Sequence, residues 1–311
     1  MTEDLQQILD FHADDYGISK NSSNDIINLI SNGNLNSISI LPNMNTFDYA
    51  VQEFKKLENK MPDNKIQVTV HLNFMEGHCC ENPASIPDLV DSKGYFKVSW
   101  GSLFKYNYNP FVYKKIRQQL KFEIIAQTKK CIDAGIINKE NLRFDSHQHP
   151  HMIPLVFDAL LLAVKELEKD GCKTAFIRNT KDPIKPYYKA AKDFDYNVKK
   201  TFSTINIVKC LILNFYSIKI QKKIKKLNLP LSYLCGVFFS GNMDSDRLEK
   251  VLPHYCRKPA EEKRIVELLF HPGSVLKEEI TEEFVKADFI DFHLSQGRKI
   301  EYNSIIKLRN L

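Results

Sequence analysis

Seven short apolar runs punctuate the chain, separated by stretches with apolar residues at helical spacing. The runs are 7–13 (QILDFHA), 37–41 (SISIL), 66–74 (IQVTVHLNF), 142–145 (LRFD), 174–178 (TAFIR), 234–240 (LCGVFFS) and 265–270 (IVELLF). They are rich in Val, Ile and Phe, which predicts buried strands. Between them, Ile26, Ile27 and Ile30 share one face of 22–32, with Ser and Asn ahead that can cap it. The stretch 111–134 is long and amphipathic and stops at Gly135; 154–169 opens on Pro at a tolerated first-turn position; 244–256 and 281–292 follow the same pattern. Strands alternating with helices predict an α/β fold, a parallel sheet with crossover helices outside it. Segment 77–109 breaks the rhythm with Gly, Pro and aromatic residues and no clear period. It reads as an inserted loop between a strand and a helix, where active-site loops of such folds lie.

The residues that end the strands carry the candidate chemistry. The first run leads into Asp14-Asp15 (HADDYG), the third carries His71, and the fourth ends at Asp145 before Ser146, His147, Gln148, His149, Pro150 and His151. The fifth ends in Arg178 and the last in His271-Pro272-Gly273. Singly, each has a plainer reading. Asp-Asp before Tyr-Gly suits a turn or a cap, His71 a packed strand position, Arg178 a surface position and His-Pro-Gly an ordinary turn. Imidazoles at three alternate positions after a strand seldom serve packing, so His147, His149 and His151 point to metal binding or catalysis. In a parallel barrel, strand ends converge on one rim, which would bring all of these together. Two imidazoles and a carboxylate would leave positions on a metal open for water and substrate. Of two adjacent aspartates, one would bind the ion and the other act as general base. A histidine across the rim, His271, would protonate a leaving group.

Composition narrows the class. The chain has 311 residues, 43% hydrophobic and 26% charged, with 11 Gly and 13 Pro, which excludes fibrous and disordered classes. Net charge is +6, and the lysine run 219–226 (KIQKKIKK) reads as the solvated face of a helix rather than a nucleic-acid or membrane patch. The apolar stretches 155–164 and 207–218 are too short to span a membrane. Seven scattered cysteines without a CxxC pair, and a start (MTEDLQQILDF) unlike a signal peptide, predict a cytoplasmic protein. No nucleic-acid or membrane partner is expected. A small-molecule substrate is expected, and a homodimer is allowed for.

In order, HADDYG, VHLNFMEG, RFDSHQHPHM and FHPG resemble the signature of the YdjC-like (ChbG-type) carbohydrate deacetylases, from the first strand to about Gly273. The resemblance implies an irregular (β/α) TIM-like barrel of the glycoside hydrolase/deacetylase type. The implied activity is hydrolysis of the acetamide of N-acetylated sugars such as chito-oligosaccharides. It implies Asp15, His71 and His147 as metal ligands, Asp14 as general base, His271 as general acid, Arg178 near the substrate, and His149 and His151 either facing the substrate or supporting the residues that do. Asp145 would orient a ligand histidine. The implied ion is divalent, Mg2+ first and Zn2+ as the alternative. His12 stands where the family commonly has Asn, and Gln148 where it often has His; both bear on substrate choice. Trp100, Phe104, Tyr106 and Tyr108 in the insertion would either stack on sugar rings or pack the loop onto the barrel. Residues 1–311 are read as one barrel domain, with the inserted loop at about 77–109 and a helical tail at about 275–311. Two other readings stay open: another metal-dependent barrel enzyme (a phosphoesterase or sugar isomerase), and a non-catalytic sugar-binding protein.

Overall fold

The computed structural model describes residues 6–63, 65–193, 203–284 and 287–310. All seven apolar runs form strands: β1 (Leu9–Tyr16), β2 (Ser37–Ile40), β3 (Gln67–Leu72), β4 (Leu142–Ser146), β5 (Thr174–Ile177), β6 (Tyr233–Cys235) and β7 (Val266–Phe270). Every pairing is parallel, in the order β5-β4-β3-β2-β1-β7-β6. This is the cyclic order of a barrel, opened between β5 and β6. Across the opening, Leu234 N–H donates to the Lys181 carbonyl at 3.0 Å. Among the described residues, the expected barrel is therefore a curled half-barrel of seven parallel strands whose edge strands are not paired.

Helices cover the sheet because β-strands running in parallel need long crossovers. They are α1 (Lys20–Ser31), α2 (Phe47–Lys60), α3 (Trp100–Tyr108), α4 (Pro110–Asp133), α5 (Pro154–Lys169), α6 (Lys185–Asp193), α7 (Thr204–Lys226), α8 (Ser245–Tyr255) and α9 (Arg257–Glu261). Two more, α10 (Ala287–His293) and α11 (Gly297–Arg309), form the tail. Ser19 caps α1 by accepting from Ser22 N–H at 3.1 Å, and Asn109 caps α4 ahead of Pro110. The core runs through the sheet, with Phe11, Ile38, Val70, Phe144, Ile177 and Leu268 all buried.

The largest differences from the expected strand ends fall on β1 and β6, each for a local reason. β1 runs past Ala13 because Asp14 and Asp15 form a bulge: Ala13 pairs with Ile38 and Tyr16 with Ile40, leaving one extra residue on β1. Asp15 absorbs it at φ 66°, a costly conformation for a residue with a side chain. β6 stops at Cys235 because the next backbone amides turn toward a buried carboxylate: Gly236 N–H and Phe238 N–H donate to Asp182 Oδ2 at 3.4 and 3.1 Å. The insertion is more ordered than its composition suggests. It carries a 3-10 turn at Pro83–Ser85, antiparallel bridges pairing His78 with Tyr95 and Val90 with Phe96, and α3.

Candidate functional site

The parallel register brings the strand ends together. His71 on β3 lies directly beside Asp145 on β4, and β1, carrying the Asp14–Asp15 bulge, sits between β2 and β7. Asp14, Asp15, His71, Asp145 and His147 are all buried.

Three ligand-type atoms converge. Asp15 Oδ1 lies 2.9 Å from His147 Nδ1 and 3.5 Å from His71 Nε2. The far nitrogen of each ring is held by its own carboxylate: His71 Nδ1 donates to Asp145 Oδ1 at 2.6 Å, and His147 Nε2 to Glu76 Oε2 at 3.0 Å. Carboxylates only accept, so each bond fixes a ring proton and its orientation. His71 Nε2 is buried without a hydrogen-bond partner. Asp15, His71 and His147 thus form a cluster able to hold an ion, and two further clusters adjoin it: Glu76, His147, His293 and His12, Asp14, Asp145.

Asp14 is gripped from behind. Arg178 donates Nη1 to Oδ2 at 3.0 Å and Nη2 to Oδ1 at 2.9 Å, and His12 Nε2 lies 3.0 Å from Oδ1. Burial opposes the charge, but Arg178 and His71 hold this carboxyl well below its usual value. Arg178 also pairs with Asp145 at 2.8 Å and with Glu267 at 2.8 Å. Its side chain is fully buried and committed to three carboxylates. This is a position under Asp14, not the substrate-facing one expected from the sequence. His151 is also enclosed: Nδ1 meets Ser146 Oγ at 2.5 Å, and Nε2 donates to the Arg178 carbonyl at 3.1 Å. Burial lowers its pKa to about 4, so it is a neutral ring fixing the turn. His149 is buried in a left-handed conformation (φ 63°), and its Nδ1 has no partner. Burial, then Lys209 and Arg178, keep it neutral. His271 is partly open, with Nδ1 3.5 Å from Glu301 Oε2.

Sequence reasoning gave no role to Glu76, His293 or Arg298. Glu76 Oε2 also accepts from His293 Nε2 at 3.0 Å, and Arg298 Nη1 donates to Asp15 Oδ2 at 3.0 Å. Arg298 is seated by donating Nε to the Gly273 carbonyl at 2.8 Å. Gly273 (φ 88°) has no room for a side chain, since a Cβ would lie 2.8 Å from the Ser22 carbonyl oxygen. The tail therefore closes the site. Glu76 lies within the VHLNFMEG block, which marks it in the sequence; His293 and Arg298 occupy separate helices and carry no such mark.

Beside these residues is a cavity of about 470 Å³ lined by Trp100, Gln148, Thr204, Ile205, Val208, Lys209 and Ile212. Of the four insertion aromatics only Trp100 lines it, with Nε1–H donating to the Gln148 carbonyl at 2.9 Å. Phe104 instead packs on Tyr108, with ring centroids 4.9 Å apart, and Tyr106 packs against the core. Lys209 lies in the fields of Asp14 and Asp15, while burial lowers its pKa.

A family model described as YdjC-like protein matches residues 9–307. A carbohydrate deacetylase of Clostridium beijerinckii is 28% identical over 155 residues, 50% of this chain and 55% of that protein. A chitooligosaccharide deacetylase of Salmonella paratyphi B is 27% identical over 154 residues, 49% of this chain and 54% of that one. The chain thus spans about half the length of the curated relatives it matches. The crystal structure of a proposed cellobiose-phosphate cleavage protein from Enterococcus faecalis V583 superposes with a TM-score of 0.56 at 16% identity, covering 97% of this chain and 95% of that one. At that identity the likeness concerns the fold alone.

Proposed function

We propose, from the premise that this chain belongs to the YdjC-like family, that it is a metal-dependent hydrolase removing the acetyl group from an N-acetylated sugar and releasing acetate. The observation that carries this reading is the meeting of Asp15 Oδ1, His71 Nε2 and His147 Nδ1, with each imidazole held by a carboxylate on its other nitrogen. The unpartnered His71 Nε2 supports this reading, since a buried polar atom without a hydrogen bond calls for some other partner, such as an ion. The names of the relatives, carbohydrate deacetylase and chitooligosaccharide deacetylase, support the substrate class.

Asp15, His71 and His147 would hold the ion. A divalent ion there would polarise the acetyl carbonyl and lower the pKa of a water. The chain's own residues handle the protons. Asp14, kept ionised and aimed by Arg178 and His12, takes a proton from the attacking water. His271, with Glu301 beside its Nδ1, gives a proton to the departing amine nitrogen. That second transfer matters because an amine leaves poorly as an anion. His149 is the remaining candidate for a substrate contact, since its Nδ1 is buried and free. Magnesium is the first choice of ion by family resemblance. Two imidazoles and one carboxylate suit zinc at least as well.

The test is acetate release from mono-, di- and oligomeric N-acetylglucosamine, after chelation and with magnesium or zinc added back. Release that is lost on chelation and restored by one ion is the expected result. Full activity after complete metal removal, or no release from any acetamido sugar, would overturn the reading.

A further inference from the structure

Helix α7 is apolar on two faces. Cys210, Leu213, Tyr216, Ile220 and Ile224 are buried against the body. On the outer face, Ile205, Val208, Leu211, Ile212, Phe215 and Ile218 are all exposed, Ile205 by 78% and Phe215 by 60%. Their spacing of three and four residues makes one continuous stripe. A surface helix normally turns polar residues outward, so an apolar outer face marks contact with something else.

The stripe continues into neighbouring aromatics. Tyr108 on α3 hydrogen-bonds Tyr216 of α7 across 3.2 Å between hydroxyls. Phe104 and Tyr108 are exposed, and Phe111, at the start of α4, is 93% exposed. Between α3 and α7 lies the cavity that reaches Gln148 and Lys209, and Ile205, Val208 and Ile212 of this stripe form part of its wall.

Charge identifies the occupant. The sequence of α7 holds no Asp or Glu and six lysines, with Lys219, Lys222, Lys225 and Lys226 exposed at its C-terminal end. An apolar stripe running into a lysine cluster is the pattern of a helix lying in the plane of an anionic bilayer. A second copy of this chain fits less well, because a symmetric contact would bring lysines toward lysines. The lysine run alone reads as solvated surface; the exposed apolar face beside it is what changes its meaning. No described helix is long and apolar enough to cross a membrane, which fits a helix that lies on one.

We propose that α7, with the exposed aromatics of α3 and α4, docks the protein on an anionic membrane surface, so that the cavity opens toward molecules presented there. The test is sedimentation of the full chain with vesicles of equal parts phosphatidylcholine and phosphatidylglycerol, compared with phosphatidylcholine alone. The wild type should sediment with the anionic vesicles at low salt and be released as salt rises. A Leu211→Ser, Phe215→Ser, Ile218→Ser triple variant should lose binding by about tenfold or more. Those three side chains do not line the cavity, so acetate release from a soluble sugar should be unchanged. Replacing Lys219, Lys222, Lys225 and Lys226 by Gln should abolish the preference for anionic vesicles. No sedimentation of the wild type, or equal sedimentation of the triple variant, overturns the proposal. So does a concentration-dependent dimer that the triple variant disrupts without any vesicle binding. The vesicles contain no sugar, so failure here is distinct from failure of the deacetylase reading.

Discussion

Replacing Glu76 by Gln would keep the shape of the side chain and one oxygen acceptor while removing its charge. In the native site Oε2 accepts from His147 and from His293, each at 3.0 Å. Burial works against the carboxylate, yet those two rings bring its pKa down to about 2, so it is charged at neutral pH. A hydrogen bond to a charged group contributes about 1.5–3 kcal/mol, against about 0.5–1.5 for a neutral one. The His147 contact should therefore weaken by about 1–1.5 kcal/mol, which is roughly a five- to twelvefold loss of metal affinity. That lies at the low end of the range for residues that orient metal ligands. Glu76→Ala would instead strand two buried N–H donors, at about 1–3 kcal/mol each, and should lower stability by about 2–6 kcal/mol. Competition against a chromophoric chelator reads the affinity, and a thermal melt confirms that the Gln variant is folded. Wild-type affinity in a folded Glu76→Gln protein would refute the reasoning: either His147 is not a ligand, or Glu76 does not hold it.

Asp14→Asn and His271→Ala should each lower acetate release by about 10²–10⁴-fold while still binding metal; near-wild-type turnover in either removes that residue from its proton-transfer role. In the ion-free protein, Asp145 and Asp14 outweigh burial and raise His71 to about 10, and Asp15 and Glu76 do the same for His147, to about 9. An ion must displace both protons, so binding at pH 7 should release about two and weaken as pH falls. Calorimetry in buffers of different ionisation enthalpy counts them, and a count near zero contradicts the ligand assignment. Glu123, buried on α4, has its pKa raised by burial from 4.5 to about 7. Its favourable protonation is intact below the unfolded value and lost as pH rises through the folded one, which costs about 3 kcal/mol by pH 8. Glu123→Gln should flatten the fall in melting temperature between pH 5 and pH 8, and parallel curves would rule this out.

The strand ends were legible because their apolar runs are short and several lead into Asp, His or Arg. Periodicity located all seven strands, and the order of Asp, His and Arg along them anticipated that Asp14, Asp15, His71, Asp145, His147 and Arg178 would come together. Their exact placement was not legible. Asp14 and Asp15 look like residues after a strand but lie inside one, because the left-handed turn at Asp15 depends on the register with β2. Arg178 reads as a strand-end cation free to meet substrate, yet the field of Asp14, Asp145 and Glu267 draws it inward. His293 and Arg298 belong to a polar tail with no pattern distinguishing them from surface residues. Only the docking of that tail against Gly273 and Asp15 gives them a place in the site. The apolar stretch 207–218 was visible in the sequence, but which of its faces is buried depends on the neighbouring helices.

The site's charges show why two buried arginines accompany a candidate cation site. Asp14, Asp15, Glu76 and Asp145 are all held below their usual pKa values, so four carboxylates are ionised out of contact with solvent. Arg178 and Arg298 offset part of this charge, Arg178 being shared with Glu267. In the ion-free protein, protons on His71 and His147 offset two more negative charges. One divalent ion with both imidazoles neutral supplies the same charge, so exchanging two protons for the ion leaves the buried balance unchanged. The arginines also decide which oxygens stay available. Arg298 takes Asp15 Oδ2, leaving Oδ1 facing the two imidazoles, while Arg178 uses one lone pair on each oxygen of Asp14, which orients that carboxylate and lowers its basicity but leaves lone pairs able to accept a proton. Without that division, two adjacent aspartates on one bulge would compete for the same cation, and neither would be free to accept a proton.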